Sequence, residues 1–288
     1  MNFYHRNSIA NKNRGFSAKP PFLSSNSSPE NLELTFEAVA AAGGGAAASA
    51  AGFGPGDTFF GHSPFLGNGL APAADYTYTG GRSSLFNFNQ FSLSFPETER
   101  YGGYFSASHK VFGDQMVLYA DLDYQNVKTH NELAPGATGR FQTAGQVTIA
   151  IPPHDPNAPL LGGPTAQEVG LPDGAYNPFN PFQQIISGAS RARLAEFGNR
   201  LYDNETDAFL TTVGVKGDKL FDGTWGYDAG LRYSQIKNTL RQQGVSATNY
   251  NRILNANDPI FDPTSSEYIG TTVPYNPFGD YRVPIPSN

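Results

Sequence analysis

Asp121 and Asp123 are the two side chains whose type and spacing most suggest chemistry. Because side chains alternate between the two faces of a strand, residues two apart project from the same face. Two carboxyl groups about 5 Å apart can cleave a glycosidic bond, one as the acid and one as the nucleophile. The same two groups, beside Asp228 and Arg232, can instead line a water-filled interior without reacting. We favour this second interpretation and expect no catalytic residue in the chain.

Other reactive side chains are absent or scattered. The chain has no cysteine, which excludes disulfides, thiolate metal ligands and cysteine nucleophiles. No Gly-x-Ser-x-Gly turn is present, and the Ala/Gly-rich stretch 43–56 lacks the Lys-Ser/Thr of a phosphate-binding loop. The histidines are far apart, and none is near a carboxylate at the spacing of a metal site. We therefore expect no metal and no cofactor. These histidines are His5, His62, His109, His130 and His154.

Charge and composition exclude one class of partner and favour another. The 288 residues carry a net charge of −6, and no cluster of Lys and Arg provides a surface for nucleic acid. Only 15% of the residues are charged, whereas soluble domains usually have about a quarter, so a lipid-facing or a loop-rich secreted β-protein is favoured. No apolar run approaches the roughly 20 residues of a membrane helix, so strands of about 9–11 residues would have to span a membrane. Residues 1–14 are polar, and an export signal would therefore lie outside this chain.

The clearest predicted strand covers residues 115–128. Its even-numbered side chains are apolar from Met116 to Tyr124, and its odd-numbered ones are largely polar. This alternation is typical of a strand with one apolar face and one polar, solvated face. Its partner is the run 225–233, which alternates in the same way. We expect two hairpins, 99–128 and 205–236, closed by tight turns at Gly113 and Asp218.

The first 85 residues have no such alternation. Residues 1–85 predict an irregular, loop-rich segment with one short helix, which begins at Ser28-Pro29-Glu30 and ends near Gly43. The stretch 43–56 predicts a mobile loop, because Ala and Gly pack poorly.

Two long, turn-rich segments follow the hairpins, at 129–204 and 237–288. Outer-membrane barrels have short periplasmic turns and long extracellular loops, so both segments are predicted to be outward loops. The first is expected to contain a short strand over 140–151 and a helical piece around 185–197.

Aromatic residues occur near both ends of the predicted strands. Tyr101, Tyr124 and Tyr233 are near the long loops, and Trp225 and Tyr227 are near a tight turn. These positions are typical of the aromatic girdles of a membrane barrel. Cross-strand packing in a soluble sheet would produce the same pattern.

A Tyr-Asn-Pro-Phe motif occurs twice in the long loops. Its aromatic side chains could stack on a sugar or another ligand. Alternatively, Asn-Pro turns with buried Phe anchors could simply fold the loops, and the sequence leaves both interpretations open. The candidate ligand contacts are Tyr176, Phe179, Phe182, Tyr275 and Phe278.

The predicted fold is all-β, with antiparallel up-and-down hairpins that form part of a transmembrane β-barrel and long loops that contain short helices. The partial barrel covers residues 86–288. Six polar side chains are expected to face its lumen: Tyr119, Asp121, Asp123, Gln125, Asp228 and Arg232.

From about Phe86 to the end, the chain resembles the early barrel of TonB-dependent outer-membrane receptors. The order of hairpin, long loop, hairpin and loop motif carries the resemblance. The matching stretches are Gly102-Gly103-Tyr104-Phe105 to Tyr124, 213–217, 225–233, 176–182 and 275–279.

The resemblance implies transport without covalent chemistry. Outward loops and the lumen would bind a scarce ligand such as a siderophore or an oligosaccharide, and the TonB system would shift a plug. The chain lacks the plug and the TonB-contacting segment and has four clearly predicted strands where such barrels have about 22, so it is expected to be a fragment.

The expected partners of the chain are outer-membrane lipid, a small imported ligand and, through the missing N-terminal part of the parent, the TonB system. The expected location of the parent is the outer membrane. The alternatives are a secreted β-rich carbohydrate-binding or hydrolytic protein, and an adhesin or porin-like barrel without energy coupling.

Overall fold

A computed structural model describes residues 1–15, 23–64, 71–138, 148–220 and 223–278. Within these residues the chain is all-β, as predicted: it is mostly antiparallel sheet with a few short helices. None of the helices in these ranges is long and apolar enough to cross a membrane.

The strands are β1 (Asn2–Arg6), β2 (Ile9–Ala10), β3 (Leu23–Ser24), β4 (Leu32–Thr35), β5 (Thr58–His62), β6 (Thr77–Thr79), β7 (Phe86–Asn87), β8 (Leu93–Phe95), β9 (Glu97–Lys110), β10 (Val117–Leu133), β11 (Gly136–Ala137), β12 (Arg193–Leu194), β13 (Arg200–Leu220) and β14 (Trp225–Gln243). The α-helices are α1 (Phe36–Ala41), α2 (Gly45–Ala50), α3 (Ala166–Val169) and α4 (Ala247–Ile253). Short 3-10 helices lie at Asn11–Asn13, Ala73–Asp75, Phe88–Phe91, Gly113–Gln115, Ala195–Phe197 and Pro259–Phe261.

The chain divides into two compact units, and each is built from three separate segments. Unit 1 takes Met1–Asn13, Ser92–Leu133 and Leu201–Gln243. Unit 2 takes the described parts of Arg14–Phe91, Ala134–Arg200 and Gly244–Asn288. The units therefore interleave along the sequence, and the division does not follow the predicted boundary between residues 85 and 86.

Unit 1 is centred on a five-stranded sheet with the order β1-β9-β10-β13-β14. Both predicted hairpins are present, as the antiparallel pairs β9–β10 and β13–β14, and both extend further than predicted at the end away from the turn. Gly113 takes the left-handed conformation, with φ +58°, in the tight turn of the first hairpin. β13 lies between β10 and β14, so the two strands with the clearest alternation are not direct partners as the sequence predicted.

The predicted irregularity of residues 1–85 is wrong at the N-terminus, because β1 is an edge strand of this sheet. It pairs antiparallel with β9, with Tyr4 opposite Arg100 and His5 opposite Glu99. An edge strand needs backbone hydrogen bonds on one side only and no buried face, so its side chains carry little alternation for sequence analysis to detect.

Unit 2 has its own apolar core, to which all three of its segments contribute. Leu34, Phe182 and Tyr250 come one from each segment and are at most 1% exposed. β4, β5 and β6 form a three-stranded sheet in which Leu32 and Leu34 point inward. The segments predicted to be long loops thus share one hydrophobic core.

Several local predictions in unit 2 need correction. The predicted helix from residue 28 to 43 is a strand, β4, followed by the short helix α1, because Leu32 and Leu34 alternate toward the core as β4 pairs with β5. The expected end near Gly43 is correct, since this residue has φ +85°.

The stretch 43–56 is not a mobile loop, because it contains α2, whose Ala48 is fully buried. Alanine has the highest helix propensity, and a buried face is enough to fix the helix. The helical piece predicted around 185–197 is restricted to the 3-10 turn Ala195–Phe197. The strand predicted over 140–151 lies largely outside the described residues, and its last residue, Ile151, forms a β-bridge with Ile186.

Candidate functional site

The six polar side chains predicted to share one face of the sheet do lie on one face. Asp121 accepts hydrogen bonds from Tyr104 Oη at 2.9 Å and Ser106 Oγ at 2.6 Å. Ser106 is directly opposite Asp121 in the β9–β10 pair, and Tyr104 is opposite Asp123. The alternation pattern alone points to neither Tyr104 nor Ser106, although pairing the strands about Gly113 places both beside the carboxylates.

Tyr119 connects β10 to β14 on the same face. Its hydroxyl donates to Asp228 Oδ1 at 2.8 Å, and Lys216 Nζ lies 5.7 Å from the centre of its ring. Gly214 and Gly230 are directly opposite each other under this side chain. A Cβ on Gly214 would come within 2.5 Å of the Tyr119 ring, and one on Gly230 within 2.8 Å of its hydroxyl. The two glycines therefore form the depression that accommodates Tyr119.

The other predicted residues of this face are also accessible. Arg232 is exposed, and its Nε donates to Thr212 Oγ1 at 3.3 Å. Asp123 and Gln125 line an open concavity of about 490 Å³ together with Asn2 of β1. The arrangement is a polar surface to which all five strands of the sheet contribute.

The opposite face carries an exposed apolar band. Leu118 is 43% exposed, Leu122 is 38% exposed and Leu231 is 78% exposed. Large contiguous exposed apolar patches mark sites of contact with a membrane, a ligand or another protein. The strand registers place the following side chains on this face: Phe105, Ala107, Leu118, Ala120, Leu122, Phe209, Val213, Val215, Tyr227, Ala229 and Leu231.

A row of aromatic side chains bounds the band on the side away from the tight turns. The rings of Tyr101 and Tyr124 are 6.3 Å apart, and those of Phe209 and Tyr233 are 6.4 Å apart. Beyond the row the face becomes polar at once, since the Tyr124 hydroxyl donates to Asp207 Oδ1 at 2.8 Å.

Aromatic residues also occur at the other side of the band. Phe112 and Trp225 are both 67% exposed, and both lie next to a turn end of the sheet. On β14 the run from Trp225 to Tyr233 covers nine residues. This matches the 9–11 residues that a strand needs to cross a bilayer.

Four of the five loop residues proposed as ligand contacts, Phe179, Phe182, Tyr275 and Phe278, lie in or against the core of unit 2. Phe182 is 0%, Phe278 1% and Tyr275 8% exposed, whereas Tyr176 and Phe179 are half-buried. Phe182 packs edge-on against Tyr76, with ring centres 5.4 Å apart. The packing of these four side chains within unit 2 agrees with the loop-folding interpretation.

Three Asn-Pro-Phe sequences of unit 2 share one turn geometry. The side-chain oxygens of Asn177, Asn180 and Asn276 each accept from the backbone N–H two residues later, at 2.9–3.0 Å. Asn177 Nδ2 also donates to the carbonyls of Leu254 and Tyr275, at 2.9 and 3.0 Å. A buried asparagine thereby joins two segments that are far apart in the sequence.

A buried carboxyl group in unit 2, Glu30, has a perturbed pKa. Burial raises the pKa of Glu30 well above its ordinary value, and the negative charge of Glu196 raises this pKa further. Burial also raises the pKa values of Tyr76, Tyr250 and Tyr275, with Glu30 contributing to each. In the sequence, Glu30 is predicted only as part of the start of a helix.

Comparisons with known proteins add no assignment, because no family model, curated protein or solved structure matches this chain.

Proposed function

We propose that this chain is part of the barrel wall of a TonB-dependent outer-membrane receptor, whose parent protein imports a scarce ligand. Lipid would cover the apolar band, and water would fill the side lined by the polar face. The proposal draws on the resemblance of the hairpins and loop motifs to that family.

The observation that carries the proposal is the exposed apolar band with aromatic rows at its borders. A soluble sheet would bury such a face against a second layer. In this sheet, Leu118 and Leu122 of the inner strand β10 are instead 43% and 38% exposed, and Leu231 of the edge strand β14 is 78% exposed. An apolar band between aromatic girdles, with a polar opposite face, is the pattern of an outer-membrane barrel.

The edges of the sheet also support a barrel fragment. β1 and β14 each have a neighbour on one side only within the described residues. A sheet in lipid must satisfy its backbone groups by closing on itself, so further strands of the parent would pair with these edges.

The connections between strands agree with the layout of such barrels. Proceeding from β1 to β14, a long connection alternates with a tight turn, and the long ones all leave from the same end of the sheet. In the proposal, this is the extracellular end. The polar face with Asp121, Asp228 and Arg232 would line the path of the ligand. A plug outside this chain would be moved by the TonB system.

The only tryptophan, Trp225, provides a test that needs no label. In micelles of a brominated alkyl maltoside, we expect Trp225 emission to be quenched at least twofold relative to the unbrominated detergent. Aqueous iodide should have little effect. Trp225→Phe is the control for residual tyrosine emission. A chain that stays monomeric without detergent, and whose tryptophan does not respond to bromine, would contradict the proposal.

A further inference from the structure

Three potential metal ligands meet on unit 1 beyond the aromatic row. His5 of β1 and Glu97 and Glu99 of β9 each offer a donor atom, and the three atoms lie within 4.8 Å of one another. We propose that His5, Glu97 and Glu99 bind one Zn²⁺ ion. This cluster cannot be found from the sequence alone, because it depends on the pairing of β1 with a strand more than ninety residues away.

The strand register holds the three side chains on one face. His5 is directly opposite Glu99, with Nδ1 3.5 Å from Glu99 Oε1. Glu97 precedes Glu99 by two residues and therefore projects from the same face. Zinc bound to nitrogen and oxygen ligands at about 2.0–2.2 Å places them about 3.3 Å apart. The three donor atoms now lie within 4.8 Å of one another. Small rotations of these exposed or half-buried side chains bring the atoms to the distance that zinc requires.

The charges around the cluster favour a cation. Two neighbouring carboxylates repel each other. Lys128, which is opposite Glu99, directs its ammonium to Glu205 at 3.2 Å. Among the residues that the structure describes, the side chain of Glu97 has neither a hydrogen-bond partner nor an ion-pair partner.

The donor set favours zinc over calcium or magnesium. An imidazole nitrogen suits zinc and similar transition ions, whereas calcium and magnesium take oxygen ligands. One imidazole and two carboxylates give a neutral site and leave the fourth position to water. Bound zinc would fix β1 to β9. This inference does not rest on the proposed function, because all three ligands belong to unit 1 and none depends on lipid.

Calorimetric titration of ZnCl₂ into the full chain in detergent tests the site. We expect one Zn²⁺ per chain, and at least tenfold weaker binding in His5→Ala and in Glu97→Gln. Glu97→Gln preserves the shape of the side chain, so its effect does not require loss of β1. His109→Ala is the matched control, since His109 is on β9 and the same face but twelve residues from Glu97.

Three results would overturn the proposal: no saturable zinc binding, unchanged affinity in both variants, or calcium binding as tight as zinc. None of these results bears on whether Trp225 contacts detergent, so the two proposals can fail separately.

Discussion

Tyr119 occupies a depression that exists because Gly214 and Gly230 have no side chains. The ring crosses from β10 over β13 so that its hydroxyl reaches Asp228. Glycine weakens a strand, and its presence at both positions is explained by the close approach of this ring. The polar face therefore depends on residues that contribute no polar group themselves.

We expect Gly214→Ala to lower the free energy of unfolding by about 1–3 kcal/mol, the usual cost of overpacking. The new Cβ would be 2.5 Å from the Tyr119 ring and 2.7 Å from the carbonyl oxygen of Ala229. Gly103→Ala is the control, because nothing lies within 4 Å of a Cβ at that position in β9. Urea unfolding in micelles measures both variants. Equal stability of the two would mean that Tyr119 does not occupy this depression.

The raised pKa of Glu30 predicts how the free energy of unfolding depends on pH. A carboxyl whose pKa is higher in the folded than in the unfolded state binds its proton more tightly when folded, so the free energy of unfolding falls as the pH rises above 4.5. Glu30→Gln has no carboxyl group to ionise at this position, so its free energy of unfolding does not fall with pH for this reason. We expect the variant to be more stable than the parent at pH 8 and the difference to shrink toward pH 4.

Thermal unfolding between pH 4 and pH 8 provides the measurement. Glu37→Gln removes one exposed negative charge from the same unit and serves as the control. A Glu30→Gln variant that is less stable than the parent at pH 8 would show that the Glu30 carboxylate is stabilised in the folded protein.

At the scale of elements, the Asn-Pro-Phe turns replace regular secondary structure in unit 2. Each turn places a Phe against or within the core while the asparagine satisfies nearby backbone groups. Buried backbone carbonyls need a hydrogen-bond donor. The side chain of Asn177 supplies the hydrogen bonds that a neighbouring strand would supply in a sheet.

We expect Asn177→Ala to destabilise unit 2 by about 2–3 kcal/mol, since two buried carbonyls lose their donor. Asn157→Ala is the control, because Asn157 is exposed. Hydrogen exchange should show faster exchange for the amides of Phe179 and Tyr275 in Asn177→Ala only. Unchanged protection of both amides would refute this role.

The hairpin strands could be predicted from sequence because alternation is a property of one continuous segment. The common face of Asp121, Asp228 and Arg232 followed from the same pattern. β1 could not be predicted, because its partner β9 decides its conformation. The helix α2 and the strand β4 depend on a core assembled from three segments. The contacts of that core join residues far apart in the sequence, so no short stretch of the sequence reveals them.

At the scale of the molecule, two kinds of apolar surface coexist in one chain. Unit 2 buries its apolar side chains around Leu34, Phe182 and Tyr250, whereas the sheet of unit 1 exposes Leu231. In our proposal, the medium around this band differs from the water around unit 2. Hydrocarbon is the medium that our account assigns.

The most direct test compares two adjacent residues on opposite faces of β14, Leu231 and Arg232, in a chain that has no natural cysteine. Leu231→Cys and Arg232→Cys, each carrying the same fluorescent label, are measured in brominated detergent and with aqueous iodide. Our account predicts that bromine quenches the label at 231 and iodide the label at 232. Equal responses of the two labels to both quenchers would contradict the assignment of hydrocarbon to one face and water to the other.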